Sequence, residues 1–340
     1  MKSACMVVTQ SGGPGVLQPR AREETPAAGE VLVRVEGAGV SYGDVLARAG
    51  VIPGGPKPPY VPGFDVTGRV IECGAEVEDL QLGDRVVALV RQGAYSDVVA
   101  VDADRAVLLP QGLDPVVCAA GILNTFIAWQ MLHRVAKIQA GQRILVHGAS
   151  GGVGLAMVQI ARMHGVEVWG TCSTTTTERV LQAGATPIDY TPNDFGQVVA
   201  ALDPPGVNAV FDHLGGTHFL RSYNTLRSPG ILVAYGQDRA LRNGKKFPPA
   251  GIVGFLGGIA LPKLIPDGRR TTFYNAWSLE SSDPEAYRID MATALRLLAE
   301  RRVRPVIADV VELADAAGAH RRMESRNVHG KLVLVPGAGV

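Results

Sequence analysis

Cysteine pairs are missing from this sequence. Its four cysteines, Cys5, Cys73, Cys118 and Cys172, lie far apart with no C-x-x-C among them, which argues against a disulfide framework or a structural zinc site. No H-E-x-x-H occurs, and the seven histidines are scattered, so each reads first as a surface or hydrogen-bonded residue. An excess of one charge is missing too. Thirty-three basic against 32 acidic residues leave +1, unlike the strongly basic surface of a nucleic-acid binder. The opening MKSACMVVTQSGGPG has no sustained apolar core before a cleavage site, so a secretory signal is not expected and a cytoplasmic protein is. The most apolar later run, Ala250 to Ile265, is broken by glycine and proline and falls short of the roughly 20 residues of a membrane-spanning helix. A buried or interface loop is expected there.

What is present suits a soluble globular chain of about two domains: 340 residues, 46% hydrophobic and 19% charged, enough for two independent cores. The first third is written in short β-rich runs, EVLVRVEGAGV, VTGRVIECG and DRVVALV, divided by glycine, proline and Gly-Asp turns, and implies a mostly antiparallel domain. From about Cys118 the pattern changes. An apolar helical stretch leads to the strand RILVHG, then to a helix, the strand VEVWGTCS, a helix, the strand PIDY, and later NAVFDHLG and GILVAYG. Strands alternating with helices imply right-handed βαβ units and a doubly wound parallel sheet. A strand TTFYNAW, a long helix from about Pro284 to Arg301 and a closing GKLVLVP follow, and the last 60 or so residues are expected to return to the first domain.

Within HGASGGVGLAMVQIAR, Gly148, Gly151, Gly152 and Gly154 stand where a strand turns into a helix. Parallel strands carry their ligand sites at their carboxyl ends. Bare backbone lets a pyrophosphate approach, and the helix N-terminus offers unpaired N–H groups and partial positive charge. The segment, with Ser150 and Val153 between the glycines, is therefore expected to cradle a dinucleotide. The next strand ends WGTCSTTTTERV, with no acid from Val168 to Thr177 to hold ribose hydroxyls. Hydroxyls at Ser173 and Thr176 and the guanidinium of Arg179 offer a 2′-phosphate site instead, which favours NADPH. The alternative is that the threonines cap a helix.

Taken together, HGASGGVGLAMVQIARMHG, GATPIDY, GEVLVRVEGAGVSYGDVLARAG, PPYVPGFDVTGRV, GDRVVAL and GKLVLVP resemble the medium-chain dehydrogenase/reductase superfamily, and within it the zinc-independent quinone oxidoreductase branch that includes VAT-1-like proteins. The resemblance spans nearly the whole chain. It implies an α/β protein: a GroES-like, mostly β catalytic domain from residues 1–117 and 280–340, and a doubly wound Rossmann NADP-binding domain over 118–279, with the active site in the cleft between domains. It also implies a homodimer in which Rossmann sheets pair through the strand near Thr272 to Ala276. It places Thr125 and Asn124 near the nicotinamide, Tyr190 at the adenosine end and Gly236 at a later strand end.

The departures bear on mechanism. Where zinc-dependent alcohol dehydrogenases carry a cysteine ligand and a His-Glu pair, this chain has Ser41 and Phe64-Asp65, and only LVRQGAYS stands where a four-cysteine lobe would fall. Hydroxyl and phenyl groups do not replace thiolate and imidazole, so no metal is expected. Leu46 stands where relatives carry a tyrosine, and leucine donates no proton. The candidate proton donors are Tyr42, Tyr60 and Tyr274, or solvent, and Ser41, Asn124, Tyr42 or backbone N–H groups are the candidates to hold a developing oxyanion. The expected function is hydride transfer from NADPH to a small, lipophilic, electron-poor acceptor, a quinone or an α,β-unsaturated carbonyl compound. Two alternatives stand beside it. One is an enoyl reductase on acyl thioesters, with Lys245, Lys246, Arg269 and Arg270 meeting a carrier phosphate. The other is a VAT-1-like NADPH-binding protein with little turnover.

Overall fold

The computed structural model describes residues 1–242, 245–246, 256–278, 282–325 and 328–337. The chain divides into two compact units, Met1–Leu123 with Met291–Val340, and Asn124–Asp290. The junctions expected from sequence are 117/118 and 279/280, of which the second lies outside the described residues.

In the first unit β1 (Lys2–Val8) pairs antiparallel with β2 (Leu17–Glu23). The main sheet joins β3 (Glu30–Val40), β4 (Asp65–Cys73), β5 (Arg85–Leu89), β6 (Val98–Asp102), β7 (Val107–Leu108), β16 (Ile307–Glu312) and β17 (Lys331–Val335). Its order is β16-β17-β3-β4-β5-β7, with β6 on β3. All pairings are antiparallel except β16 with β17, so the C-terminal segment does complete the first unit's sheet. Valines dominate because β-branched side chains fit a pleated, half-buried surface: Val31, Val33, Val66, Val86 and Val99 share one core. Ser41 starts α1 (Tyr42–Ala49), which ends on Gly50 in the left-handed conformation, φ +69°, where a side chain would be strained.

The second unit is a six-stranded sheet of β8 (Arg143–Val146), β9 (Glu167–Cys172), β10 (Thr186–Asp189), β11 (Val207–Asp212), β12 (Leu226–Ala234) and β15 (Arg270–Phe273). Every pairing is parallel, in the order β10-β9-β8-β11-β12-β15. The strand order reverses at β8, which makes its carboxyl end the topological switch point where ligands sit in such sheets. Helices α3 (Gly152–Met163), α4 (Thr177–Ala183), α5 (Phe195–Leu202) and α6 (His218–Tyr223) connect the strands. Leu145, Val210 and Leu232 pack with Phe195, Phe219 and Tyr223 in one core. A short hairpin, β13 (Leu241–Arg242) with β14 (Lys245–Lys246), follows; the phosphate-binding reading of the two lysine side chains lies outside the described residues.

The unit junctions fall inside α2 (Pro115–Trp129) and α7 (Pro284–Ala299); α8 (Ala316–Glu324) precedes β17. With the turn Gln130–Val135, α2 is long and apolar enough to cross a membrane, but 72% of its apolar window is buried inside the protein, as in a core helix. The apolar run expected as a buried loop is corrected in part. Residues 250–255 lie outside the described residues, while Leu256–Ala260 and Leu261–Leu264 form single helical turns. Pro262 falls within the first turn of the second, where a missing N–H costs little. Ile259 is buried, yet Leu256, Leu261, Leu264 and Ile265 are exposed.

Candidate active site

The site is built on the carboxyl end of β8. His147 donates its backbone N–H to Phe211 O on β11 at 3.0 Å, and Ala149 N–H bonds Thr171 O on β9 at 3.0 Å, so the turn is fixed to both neighbouring strands. Gly148 takes φ +64°, a conformation that L side chains rarely adopt. Gly154 answers a different demand: a Cβ there would stand 2.3 Å from Gly148 O and 2.8 Å from Ala149 Cα, so helix and turn approach closer than any side chain permits. At the start of α3 the N-cap is Gly151, which brings no side-chain cap. The first helical bond runs from Leu155 N to Gly151 O at 2.8 Å, which leaves Gly152, Val153 and Gly154 to present the N–H groups of a helix N-terminus. Gly151 and Gly152 are exposed, Ser150 and Val153 half-buried.

Beneath the turn lies a buried polar network absent from the sequence-based candidates. Thr171 Oγ1 accepts from Gly148 N at 3.2 Å and lies 3.1 Å from His147 Nδ1. His147 Nε2 is 3.0 Å from Ser222 Oγ, and Ser222 donates to Asp212 Oδ2 at 2.6 Å. His218 Nδ1 meets the same oxygen at 2.6 Å, and Leu214 N–H donates to Asp212 Oδ1 at 2.7 Å. Burial pushes the His147 imidazole down to about 3, so it is neutral. Burial alone would raise Asp212, but the hydrogen bonds from His218 and from the Ser222 hydroxyl hold its carboxyl below the usual range. The ligand atoms of His147, Asp212 and His218 lie within 4.8 Å of one another, but these protein hydrogen bonds already engage them. For His147 and Asp212 the sequence signal is the polar residue at a strand's end, in VHG and VFDH.

On the β9 side of the turn stand the residues read as a 2′-phosphate site. Ser173 Oγ lies 3.0 Å from Thr175 Oγ1 and 3.2 Å from Thr176 Oγ1. Thr176 is the N-cap of α4, but its side chain makes no cap hydrogen bond; its hydroxyl donates to Ser173 O at 3.2 Å instead. Arg179 is half-buried, and its buried NH1 has no hydrogen-bond partner. Asp189, at the end of β10, accepts from Thr174 Oγ1 at 2.6 Å, and this bond, opposed by desolvation, lowers its pKa. Tyr190 is 56% exposed, so it is no core aromatic. On the β11 and β12 side, a Cβ at Gly236 would stand 2.7 Å from His213 O. Asn124 and Thr125 are buried on α2, and Asn124 Nδ2 would lie 2.4 Å from a Cβ at Gly152.

Of the proposed proton and oxyanion donors, Ser41, Tyr42 and Tyr60 belong to the first unit and Asn124 and Tyr274 to the second. Ser41 accepts from Asp44 N at 3.2 Å and donates its hydroxyl hydrogen to Asp44 Oδ2 at 2.8 Å, a capping box. Asp44 also accepts from Gly63 N at 3.0 Å, and burial pushes its carboxyl up to about 6. Tyr42 opens α1, half-buried, and Leu46 is buried on the same helix. Tyr60 is buried with its hydroxyl unpartnered, and burial, with Asp44 beside it, raises that hydroxyl well above the ordinary phenol value. In the second unit Tyr274 donates to Gln130 Oε1 at 2.7 Å, and Gln130 Nε2 in turn donates to Asp290. The hydrogens of Ser41 and Tyr274 are thus spent within the protein.

Residues 27–111 match the family described as alcohol dehydrogenase GroES-like domain, and residues 183–334 the family described as zinc-binding dehydrogenase. A synaptic vesicle membrane protein VAT-1 homolog of Danio rerio is 33% identical over 97% of this chain and 69% of its own length. A 2-haloacrylate reductase of Burkholderia sp is 31% identical over 98% of each. Among solved structures, the Escherichia coli quinone oxidoreductase complexed with NADPH superposes with a TM-score of 0.86 at 27% identity, over 98% of this chain and 100% of that one.

Proposed function

Because the chain belongs to the medium-chain dehydrogenase/reductase superfamily, in the branch of VAT-1 proteins and quinone oxidoreductases, we propose that it is an oxidoreductase using NADPH to reduce an electron-poor, conjugated acceptor without zinc. The observation that carries the cofactor half is the uncapped start of α3 over the glycine-rich turn, with the unpartnered Arg179 nitrogen on the β9 side. Gly152, Val153 and Gly154 would hold the pyrophosphate through backbone N–H groups. Ser173, Thr176 and Arg179 would hold the adenosine 2′-phosphate, Tyr190 would pack at the adenosine end, and Thr125 and Gly236 would border the nicotinamide. The bound cofactor supplies the hydride.

The acceptor class is supported by two relatives whose names are quinone oxidoreductase and 2-haloacrylate reductase; both named substrates are conjugated and electron-poor. Zinc independence rests on Ser41 and Phe64 at the ligand positions, since neither side chain is a zinc ligand. Its test is elemental analysis of the purified protein, in which stoichiometric zinc would contradict it. Of the proposed donors, Tyr60 keeps its hydroxyl unpartnered. A quinone needs little such help, because its reduced form is aromatic and solvent supplies the protons.

A homodimer through β15 is part of the proposal: β15 is the edge of the sheet and Phe273 on it is 40% exposed. A cytoplasmic location is likewise proposed, and fractionation of cells tests it against the vesicle location in the VAT-1 names. The second reading, a binding protein with little turnover, is favoured by Leu46 and by those names. Anaerobic consumption of NADPH and NADH against quinones, enones and acyl thioesters, with products weighed by mass spectrometry, separates the readings. Turnover of acyl thioesters alone would select the enoyl reductase, and binding without turnover the second reading.

A further inference from the structure

The loops after β11 and β12 are joined by backbone hydrogen bonds: Tyr235 N to Asp212 O at 3.0 Å, Asp238 N to His213 O at 3.0 Å and Arg239 N to Leu214 O at 2.9 Å. On this ledge His213 Nδ1 lies 2.7 Å from Asp238 Oδ2, and both side chains are partly exposed, at 23% and 20%. The other ring nitrogen faces the glycine turn. A Cβ on Gly148 would stand 2.5 Å from His213 Nε2, so the imidazole fits there only because Gly148 has no side chain.

We propose that His213 is a further cofactor-binding residue, whose Nε2 hydrogen-bonds a hydroxyl of the nicotinamide-side ribose. The inference rests on the NADPH reading above. A dinucleotide laid over the turn with its adenosine toward Ser173 and Arg179 at the β9 end runs its other half toward β11, because β9 and β11 flank β8 on opposite sides. His213 is the first residue after β11. The Nδ1–Asp238 bond orients the ring with Nε2 toward the turn. A ribose hydroxyl, which both donates and accepts, matches Nε2 in the neutral or the protonated ring. In NADPH the ribose on that side carries hydroxyls, while the 2′-phosphate sits on the adenosine ribose. Asp238 acts through His213 and is a positioning residue.

The test is calorimetric titration of the full chain with NADPH and with adenosine 2′,5′-bisphosphate, which lacks the nicotinamide half. His213→Phe keeps a planar ring without a nitrogen, and His213→Gln keeps an accepting atom. Loss of one hydrogen bond is expected to weaken NADPH roughly three- to tenfold in the Phe variant, with the bisphosphate unchanged and partial recovery in the Gln variant. Equal weakening of both ligands would show that His213 merely packs the turn, and unchanged NADPH binding would show no contact; either overturns the inference. Wild-type protein that binds neither ligand would instead overturn the NADPH reading on which it rests.

Discussion

Gly154→Ala sets two effects of opposite sign against each other. Gly154 lies in the first turn of α3 without a positive φ, so helix propensity alone would make alanine stabilising by about 1 kcal/mol. The added Cβ, however, would lie 2.3 Å from Gly148 O and 2.9 Å from Gly148 C, both backbone atoms with no rotamer to escape into. Overpacking of this kind costs about 1–3 kcal/mol. Contact with backbone places the cost near the upper end, so a net destabilisation of about 2 kcal/mol is expected. The turn must shift to relieve the clash, and the N–H groups of α3 move with it. NADPH affinity should therefore fall at least roughly tenfold, the equivalent of about 1.4 kcal/mol. Denaturant unfolding of the wild type and variant, with NADPH titration followed by fluorescence, measures both quantities. A variant as stable as the wild type or more so, binding NADPH equally well, would refute the close-approach argument.

Three further outcomes are expected. Arg179→Ala should weaken NADPH by roughly 10- to 100-fold, the range for a hydrogen bond to a charged group, and leave NADH nearly unaffected; equal loss for both cofactors would place the guanidinium elsewhere. Tyr60→Phe removes an unpartnered buried hydroxyl, so stability should hold or rise by about 1 kcal/mol while kcat on an enone falls if this hydroxyl delivers the proton; an unchanged kcat assigns protonation to solvent. Asp44 ionises at about 6 in the fold against a reference of 3.8, so the folded state holds its proton more tightly than the open chain does. Its contribution to stability is present at low pH and lost as pH rises from about 4 to 6, by about 3 kcal/mol. Asp44→Asn should flatten that part of the stability profile, and an unchanged slope between pH 4 and 6 would contradict the assignment.

The glycine turn and the βαβ alternation were readable because each follows from local rules: a strand of β-branched residues, a turn that needs bare backbone and a helix with an apolar face. The parallel sheet followed from them, with β9 ending at Cys172 and β10 at Asp189. What was not readable depends on contacts between residues far apart in sequence. His147 and Ser222 are 75 positions apart and meet only because β8 and β11 are neighbours. Tyr274 is a donor by residue type, but Gln130, 144 positions away, accepts its hydrogen. Ser41 stands where zinc-dependent relatives carry a metal ligand, but its partner, Asp44, lies three residues on and forms a capping box that the segment SYGD signals. The apolar run failed as a loop because hydrophobicity without a period does not tell a loop from a helical turn.

The most direct test of the central claim is anaerobic turnover with NADPH and a single enone or quinone, followed by absorbance at the reduced nicotinamide band and by mass analysis of the product. Stoichiometric oxidation of NADPH with a product two hydrogens heavier, faster than with NADH, is the expected result. NADPH that binds but is not consumed with any conjugated acceptor would contradict the account and leave a dinucleotide-binding protein in its place.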